Sequence, residues 1–297
     1  ILTNAQLSDA GTYTARVTNS AGSVTSTAAT LTVNFSRLIN LSVRSTAGTG
    51  AQTLIVGFNI SGTGSKQMLV RGIGPTLGVF GVSGVLTDPQ LRLFNSNSAQ
   101  INVNDDWGGG ATLTTAFSNA GAFSLSPASR DAALFVPLPA GTYSAQVTAA
   151  TGTGVALVEG YDADMGSPVT RLSNLSVRSV AGTGANVLTV GFVIAGNTSK
   201  ALLIRGVGPA LAGFGVTSVL ADPQIQLFNS SSAQINQNDN WAPNLSSTFG
   251  AVAAFALPAG SRDAALVVTL QPGNYTAQVS GVNNTTGVAL VEVYEVP

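Results

Sequence analysis

At 297 residues the chain is long enough for two or three domains, and each would be large enough to bury a core of its own. Only 8% of its residues are charged, against about 25% in ordinary globular proteins, and the formal net charge is −1. No basic field exists to hold a phosphate backbone, so nucleic acid is excluded as a partner. Cysteine and histidine are both absent, which excludes disulfides, thiolate chemistry, most zinc sites and imidazole acid–base catalysis. No apolar run approaches the roughly 20 residues that span a bilayer, so no membrane span is expected. The chain begins at Ile1 without a signal-peptide pattern and reads as a processed product or a piece of something longer.

Residues 1–35 form the first segment. Asp9 to Tyr13 read DAGTY and are followed by alternating residues up to Val33. This stretch resembles the tyrosine corner and last strands of immunoglobulin-like domains, of the disulfide-free bacterial type because Ala15 stands where antibody domains carry cysteine. The resemblance implies a partial immunoglobulin-like segment, and a lone hairpin is only marginally stable in water. Either a larger domain has been cut here, or the strands complete a sheet on another subunit by strand addition. In the second case Tyr13, Val24, Leu31 and Val33 are the assembly residues.

From about Arg37 onward one segment occurs twice. Residues 37–161 recur as 171–294, and Arg44 returns as Arg178, an offset of 178 − 44 = 134. Arg71/Arg205 and Trp107/Trp241 keep that offset, Asp131/Asp263 differ by 132, and Glu159/Glu292 by 133. A period this long is a duplicated domain rather than a solenoid unit, and places the repeats at 36–164 and 165–297. In the first repeat, short Val-, Leu- and Ile-rich runs predict strands at 38–44, 53–61, 67–72, 90–95, 100–104, 132–138, 142–148 and 155–161. Gly-, Asn- and Pro-rich turns separate them. The long segments 75–89 and 108–129 read as loops, one with room for a helical turn, and no amphipathic helix is apparent. The expected fold is all-β: two tandem antiparallel β-sandwiches of jelly-roll or Greek-key type behind the partial immunoglobulin-like segment. Short linkers make the expected array semi-rigid.

Residues able to carry chemistry are few. Asp105 and Asp106 before Trp107, and Asp239 before Trp241, offer oxygen ligands to calcium, the one cofactor the sequence brings to mind. The second triplet keeps a single carboxylate, and Asn and Asp also cap turns, which is the favoured reading. Arg71, Glu159 and Asp131, with Arg205, Glu292 and Asp263, place charges in or beside apolar strands. Buried charge must be paired, so an internal Arg–carboxylate bond is expected in each repeat. A glycosidase-type carboxylate pair is the weaker alternative. The RGIGP and RGVGP runs lack phosphate-loop spacing and read as strand ends with a tight bend. Trp107 and Trp241, with Phe80 and Phe214, either pin loops to the core or form a platform for a surface glycan; pinning is the commoner use.

The motifs NLSVRSxAGTG, LxVGFxI, RGxGPxL, FGVxxVLxDPQ, NDxW and TGVALVE together resemble a C-terminal repeat of very large secreted proteins from environmental bacteria such as Verrucomicrobia. The second half of each repeat is also similar to bacterial pre-peptidase C-terminal β-sandwich domains. Both resemblances imply an extracellular module that accompanies other domains, and neither implies catalysis. Taken together, the expectation is a non-enzymatic structural protein of the cell surface, part of a fibre, filament or stalk that self-associates through β-strand contacts. The alternative is an adhesin or carbohydrate-binding accessory module.

Overall fold

A computed structural model describes residues 5, 9–149, 151–164 and 170–297. Within it the chain is mostly β-strand. Four short strands come first: β1 (Gly11–Tyr13), β2 (Arg16–Asn19), β3 (Gly22–Thr25) and β4 (Ala29–Leu31). They form two separate ladders, β1 with β4 and β2 with β3. The first repeat then contributes β5 (Ser36–Gly48), β6 (Leu54–Ile73), β7 (Pro89–Asn95), β8 (Gln100–Asn104), α1 (Ala111–Asn119), β9 (Ala132–Ala149) and β10 (Thr153–Asp162). The second contributes β11 (Arg171–Ala181), β12 (Leu188–Gly196), β13 (Lys200–Val207), β14 (Pro223–Asn229), β15 (Gln234–Asn238), α2 (Ser246–Ala251), β16 (Ala264–Leu270), β17 (Gly273–Gly281) and β18 (Gly287–Glu295).

Four local features differ from the sequence reading. Segments 132–138 and 142–148 run on as a single strand, β9. Segments 53–61 and 67–72 are one long strand, β6, whose pairing with β9 shifts register between Ile60 and Ser65. Gly62 and Gly64, both at positive φ, take the bend that the sequence suggested as a turn. Segment 108–129 holds a nine-residue helix, α1, and residues from Pro75 to Phe80 form a 3-10 helix. At the foot of that helix Gly74 has no room for a side chain, because a Cβ there would collide with the Leu86 carbonyl.

Pairing follows two parallel courses. One runs β15-β14-β17-β12-β5-β10 and continues into residues 68–73 of β6 and the first half of β9. The other runs β8-β7, then the second half of β9, residues 54–60 of β6, and on through β11-β18-β13-β16. Every neighbouring pair is antiparallel. Each course is thus half first repeat and half second repeat, and the halves meet at β5–β12 in one and β6–β11 in the other. The hydrogen-bonded sheet crosses the expected repeat boundaries.

The two crossings are equivalent. Val43 lies opposite Val190, and Val177 opposite Val56; both members of one pair are 134 residues from their counterparts in the other (177 − 43 and 190 − 56). Leu38 pairs with its own equivalent Leu172, and the Ser45 and Ser179 hydroxyls, also 134 apart in sequence, meet at 2.6 Å. A residue touching its own counterpart marks a local twofold axis, the signature of an isologous contact. Alternate residues of these strands point inward and form one apolar cluster with members from both repeats, among them Leu41, Val56, Phe58, Leu175, Val190 and Phe192. A smaller cluster covers the opposite face in each repeat, built around Trp107 and Phe117 in the first and Trp241 and Phe249 in the second.

Glycine lets the crossing strands approach. Gly57 faces Ser176 and Gly191 faces Ser42, and in each case an added Cβ would come within 2.5 Å of the serine Oγ. Gly57→Val and Gly191→Val should therefore each cost about 1–3 kcal/mol in a urea titration, as overpacking does. Gly78→Ala, where an added Cβ meets nothing within 4 Å, should leave the midpoint nearly unchanged.

Candidate functional site

The charges kept in both repeats lie under the smaller clusters. Along β6, Met68 and Val70 face the shared core, so Leu69, Arg71 and Ile73 face the other way. β10 presents Glu159 and Tyr161 to the same side. The Arg71 side chain is fully buried and donates from Nε to Glu159 Oε2 at 2.9 Å and from Nη1 to the Phe123 carbonyl at 2.6 Å. Its guanidinium carbon stands 4.2 Å from the Phe123 ring centre and 4.9 Å from that of Phe117. Tyr161 Oη donates to Glu159 Oε1 at 2.9 Å. The second repeat repeats the arrangement: Arg205 Nε to Glu292 at 2.8 Å, Arg205 Nη1 to the Phe255 carbonyl at 2.6 Å, and Tyr294 Oη to Glu292 at 2.6 Å. Burial, then the adjacent carboxylate, pushes both tyrosines well above their ordinary value, so they act here as hydrogen-bond donors.

Asp131 and Asp263, expected beside the arginines, do something else. Asp131 accepts from the Gly74 amide at 2.7 Å, from the Ser129 hydroxyl at 2.6 Å and from the Thr76 hydroxyl. Asp263 accepts from Gly208 N at 2.8 Å and Ser261 Oγ at 2.7 Å. Each is a buried acceptor for the amides at the bend after the RGIG or RGVG run, and each main-chain carbonyl takes the amide of the following tryptophan loop, Trp107 or Trp241. Both aspartates are therefore backbone caps rather than members of the Arg–carboxylate pairs, because the first turn of each 3-10 helix supplies free N–H groups that need an acceptor.

The Asp105–Asp106 and Asp239 loops are exposed turns. Asn104 bridges them to the fold: its Nδ2 donates to the Asp106 carbonyl and its Oδ1 accepts from Ala133 N, with Asn238 doing the same for Asn240 and Ala265. Among the described residues no group of three or more carboxylates gathers to hold a metal ion. Asp88 and Asp222 pair with Arg130 and Arg262. Trp107 and Trp241 are buried, with Nε1 bonded to Ser126 O and Ser261 Oγ, so they pin loops and do not form an exposed platform. Phe80 and Phe214 stay exposed, each edge-on to Phe123 or Phe255.

Sequence reasoning missed a second pair of ionic clusters. Lys66, fully buried, donates to both oxygens of Asp162 at 2.8 and 3.0 Å, with Arg37 3.8 Å away. In the second repeat Glu295 sits between Arg171 at 3.3 Å and Lys200 at 3.5 Å, and also accepts from the Leu38 amide of the first repeat at 2.7 Å. Burial raises both carboxyls above the usual carboxylate range, and the neighbouring cations oppose the shift. The signal was the repeat of Arg37, Lys66 and Asp162 as Arg171, Lys200 and Glu295. Substituting Asp by Glu hid the match.

Of the assembly residues, Tyr13 Oη bonds back to the Asp9 carbonyl at 2.6 Å, as a tyrosine corner does. Tyr143 and Tyr275 make the same four-residue link inside the repeats, to Pro139 O and Gln271 O. Val17 and Val24 are 73% and 76% exposed on the β2–β3 ladder. Leu31 and Val33 are half-buried where the chain enters the first repeat. The Val33 and Phe35 backbone there is bound by Asn197 of the β12–β13 loop.

Where the two repeats meet, a groove of about 370 Å³ opens between the β6–β11 crossing and the cap of the second repeat. No helix among the described residues is long and apolar enough to cross a membrane.

Searches against family models and curated proteins find no match. Distant likenesses to solved structures include PBCV-1 VP54 fitted into a reconstruction of the virophage Sputnik (8% identity, 90% of this chain and 95% of that one, TM-score 0.19). Others are a secreted-protein candidate from Eubacterium rectale (9%, 81% and 69%, TM-score 0.21) and a DUF4785 family protein from Legionella pneumophila (9%, 99% and 69%, TM-score 0.24). Their scores are too low to carry an argument about fold or function.

The buried pairs make a stability test. Arg71→Met strands the Glu159 carboxylate and should cost about 3–5 kcal/mol, whereas Arg71→Met with Glu159→Leu should recover most of that loss. Chemical denaturation of the three proteins measures it.

Proposed function

We propose that this chain is a non-enzymatic assembly module of the bacterial cell surface, a segment of an extracellular fibre, filament or stalk that self-associates through β-strand pairing. In this reading each repeat is a β-sandwich and the two are fused edge to edge. The supporting observation is the state of the outer strands. At the crossings, the inner edges of each repeat are consumed by the other. Of the outer strands among the described residues, β8 and β15 are bulged at Ile101 and Ile235, and an Asn side chain covers the next amide. Bulges of this kind deter edge pairing.

The remaining two edges are not alike. Ala133 N and Ala265 N donate sideways to Asn104 and Asn238, so the residues two and four further on also turn their backbone outward. In the first repeat the second of these is Pro137, which has no N–H to give. In the second it is Thr269, beside the exposed Val267, in a strand, AALVVTL, with neither charge nor proline. Unpaired, uncharged backbone edges of this kind recruit another strand. A charge content of 8% sets little repulsion against such contact. The same composition, without cysteine, suits an exported bacterial β-protein.

Sedimentation velocity and electron microscopy of the chain at rising concentration test the proposal. Self-association is expected, and Thr269→Pro should weaken it by about tenfold or more, the equivalent of 1.4 kcal/mol. A chain that stays monomeric up to about 1 mM, where even a contact of −4 kcal/mol would be half-formed, would refute it.

A further inference from the structure

We infer that the groove at the repeat junction binds a small apolar anion, an acyl or aryl carboxylate, and that the chain carries two such sites related by the local twofold axis. The first site is composite. Its floor is the β6–β11 crossing, where Gly57 and Ser176 lie side by side. Its wall comes from the second repeat, chiefly Leu211, Phe214, Val216 and Phe255. The absence of a side chain at Gly57 keeps the floor open. Phe214 is 66% exposed and stands edge-on to Phe255, with ring centres 5.0 Å apart. An exposed phenylalanine held in place by a second ring offers an apolar ligand contact area that needs no reordering.

One charge lines the groove, Arg178. It is exposed, and among the described residues it has neither a hydrogen-bond partner nor an ion-pair partner. No acidic residue lines the groove, and its other polar side chain is the Ser176 hydroxyl. A guanidinium presents a planar fork that matches a carboxylate or sulfonate. Apolar walls with one convergent polar group are the usual make-up of a small-molecule site, and a volume of about 370 Å³ falls in the ordinary range. Sugars are a poor fit, because the groove lacks the Asn, Asp and Gln side chains their hydroxyls need.

The equivalent position across the axis carries the same residues. Arg44, Ser42, Gly191, Phe80 and Phe123 stand where Arg178, Ser176, Gly57, Phe214 and Phe255 do, with Ser42 again opposite Gly191 and Phe80 edge-on to Phe123 at 5.1 Å. Arg44 is likewise exposed without a partner among the described residues. The one change is Thr189 for Ile55, which makes the second groove more polar and the weaker of the two. A chain with so few charges places an unneutralised arginine beside an exposed phenylalanine at the β6–β11 crossing, keeps the equivalent pair Arg44 and Phe80 in the other repeat, and core packing requires neither.

The test uses the full chain and decanoate below its micelle concentration, followed by calorimetry and by amide NMR shifts. Decanoate should bind with Ser176, Arg178 and Phe214 shifting first. The Arg178→Glu variant should lose about tenfold or more in affinity at that groove, and Arg178→Glu with Arg44→Glu should lose binding altogether. Melting of both variants should be unchanged, since both arginines are exposed. Equal binding of decyltrimethylammonium, binding unaltered in the double variant, no decanoate binding, or binding to anionic vesicles without binding of soluble decanoate would each overturn the inference. None of these outcomes depends on strand-mediated assembly, which Arg178→Glu leaves untouched.

Discussion

The architecture rests on backbone hydrogen bonds between strands of different repeats. An isolated repeat would offer two open inner edges, β5 and the first half of β6, each a row of unpaired N–H and C=O groups. The second repeat offers β12 and β11 to them in identical register, and its own two edges are closed by the same act. Reciprocity of this kind needs self-complementary surfaces on a twofold axis, which is how identical subunits pair in a dimer. Duplication of the sequence joins two such surfaces in one chain and so removes the dependence of pairing on concentration. The two sheets then continue through both repeats, and one apolar cluster spans the junction.

Charge is used sparingly and in the same double fashion. The Arg71–Glu159 and Arg205–Glu292 pairs hold the cap over one face of each repeat, because guanidinium, carboxylate and tyrosine hydroxyl bond to one another beside two phenylalanine rings. Asp131 and Asp263 tie the bend to the tryptophan loop. The Lys66–Asp162 and Lys200–Glu295 clusters sit closer to the junction, and Glu295 reaches across to the Leu38 amide. These groups are committed to one another, whereas Arg44 and Arg178 are not. That contrast separates structural charge from charge available to a ligand.

Much of the fold was legible in the sequence. Strand positions followed from alternation, as in Thr142 to Val147, and the near-constant offset of 132–134 identified most pairs of equivalent residues. The cross-repeat pairing was not legible, because an inward-facing Val43 or Val56 looks the same whether the strand edge is open or paired, and the bonds that join the repeats are main-chain bonds. The α1 helix was hidden by its composition: ATLTTAFSN is rich in β-branched threonine, and only Ala116 and Phe117 of it are buried. Recurrence in each repeat groups Asp131 with Arg71. The Ser129-x-Asp131 spacing and the Gly74-Pro75 bend that needs an acceptor were the better guide. The junction groove could not be foreseen either, since its lining residues are distributed over both repeats.

Amide hydrogen exchange of the full chain measures the crossing itself. If the repeats are one cooperative unit, the hydrogen-bonded amides of β5, β12, β11 and the first half of β6 exchange only through global unfolding, as slowly as those of β10 and β18 within each repeat. Exchange at β5–β12 and β6–β11 that is orders of magnitude faster than at β10 and β18 would mean that the repeats separate while each stays folded, and would contradict a structure held together by shared sheets.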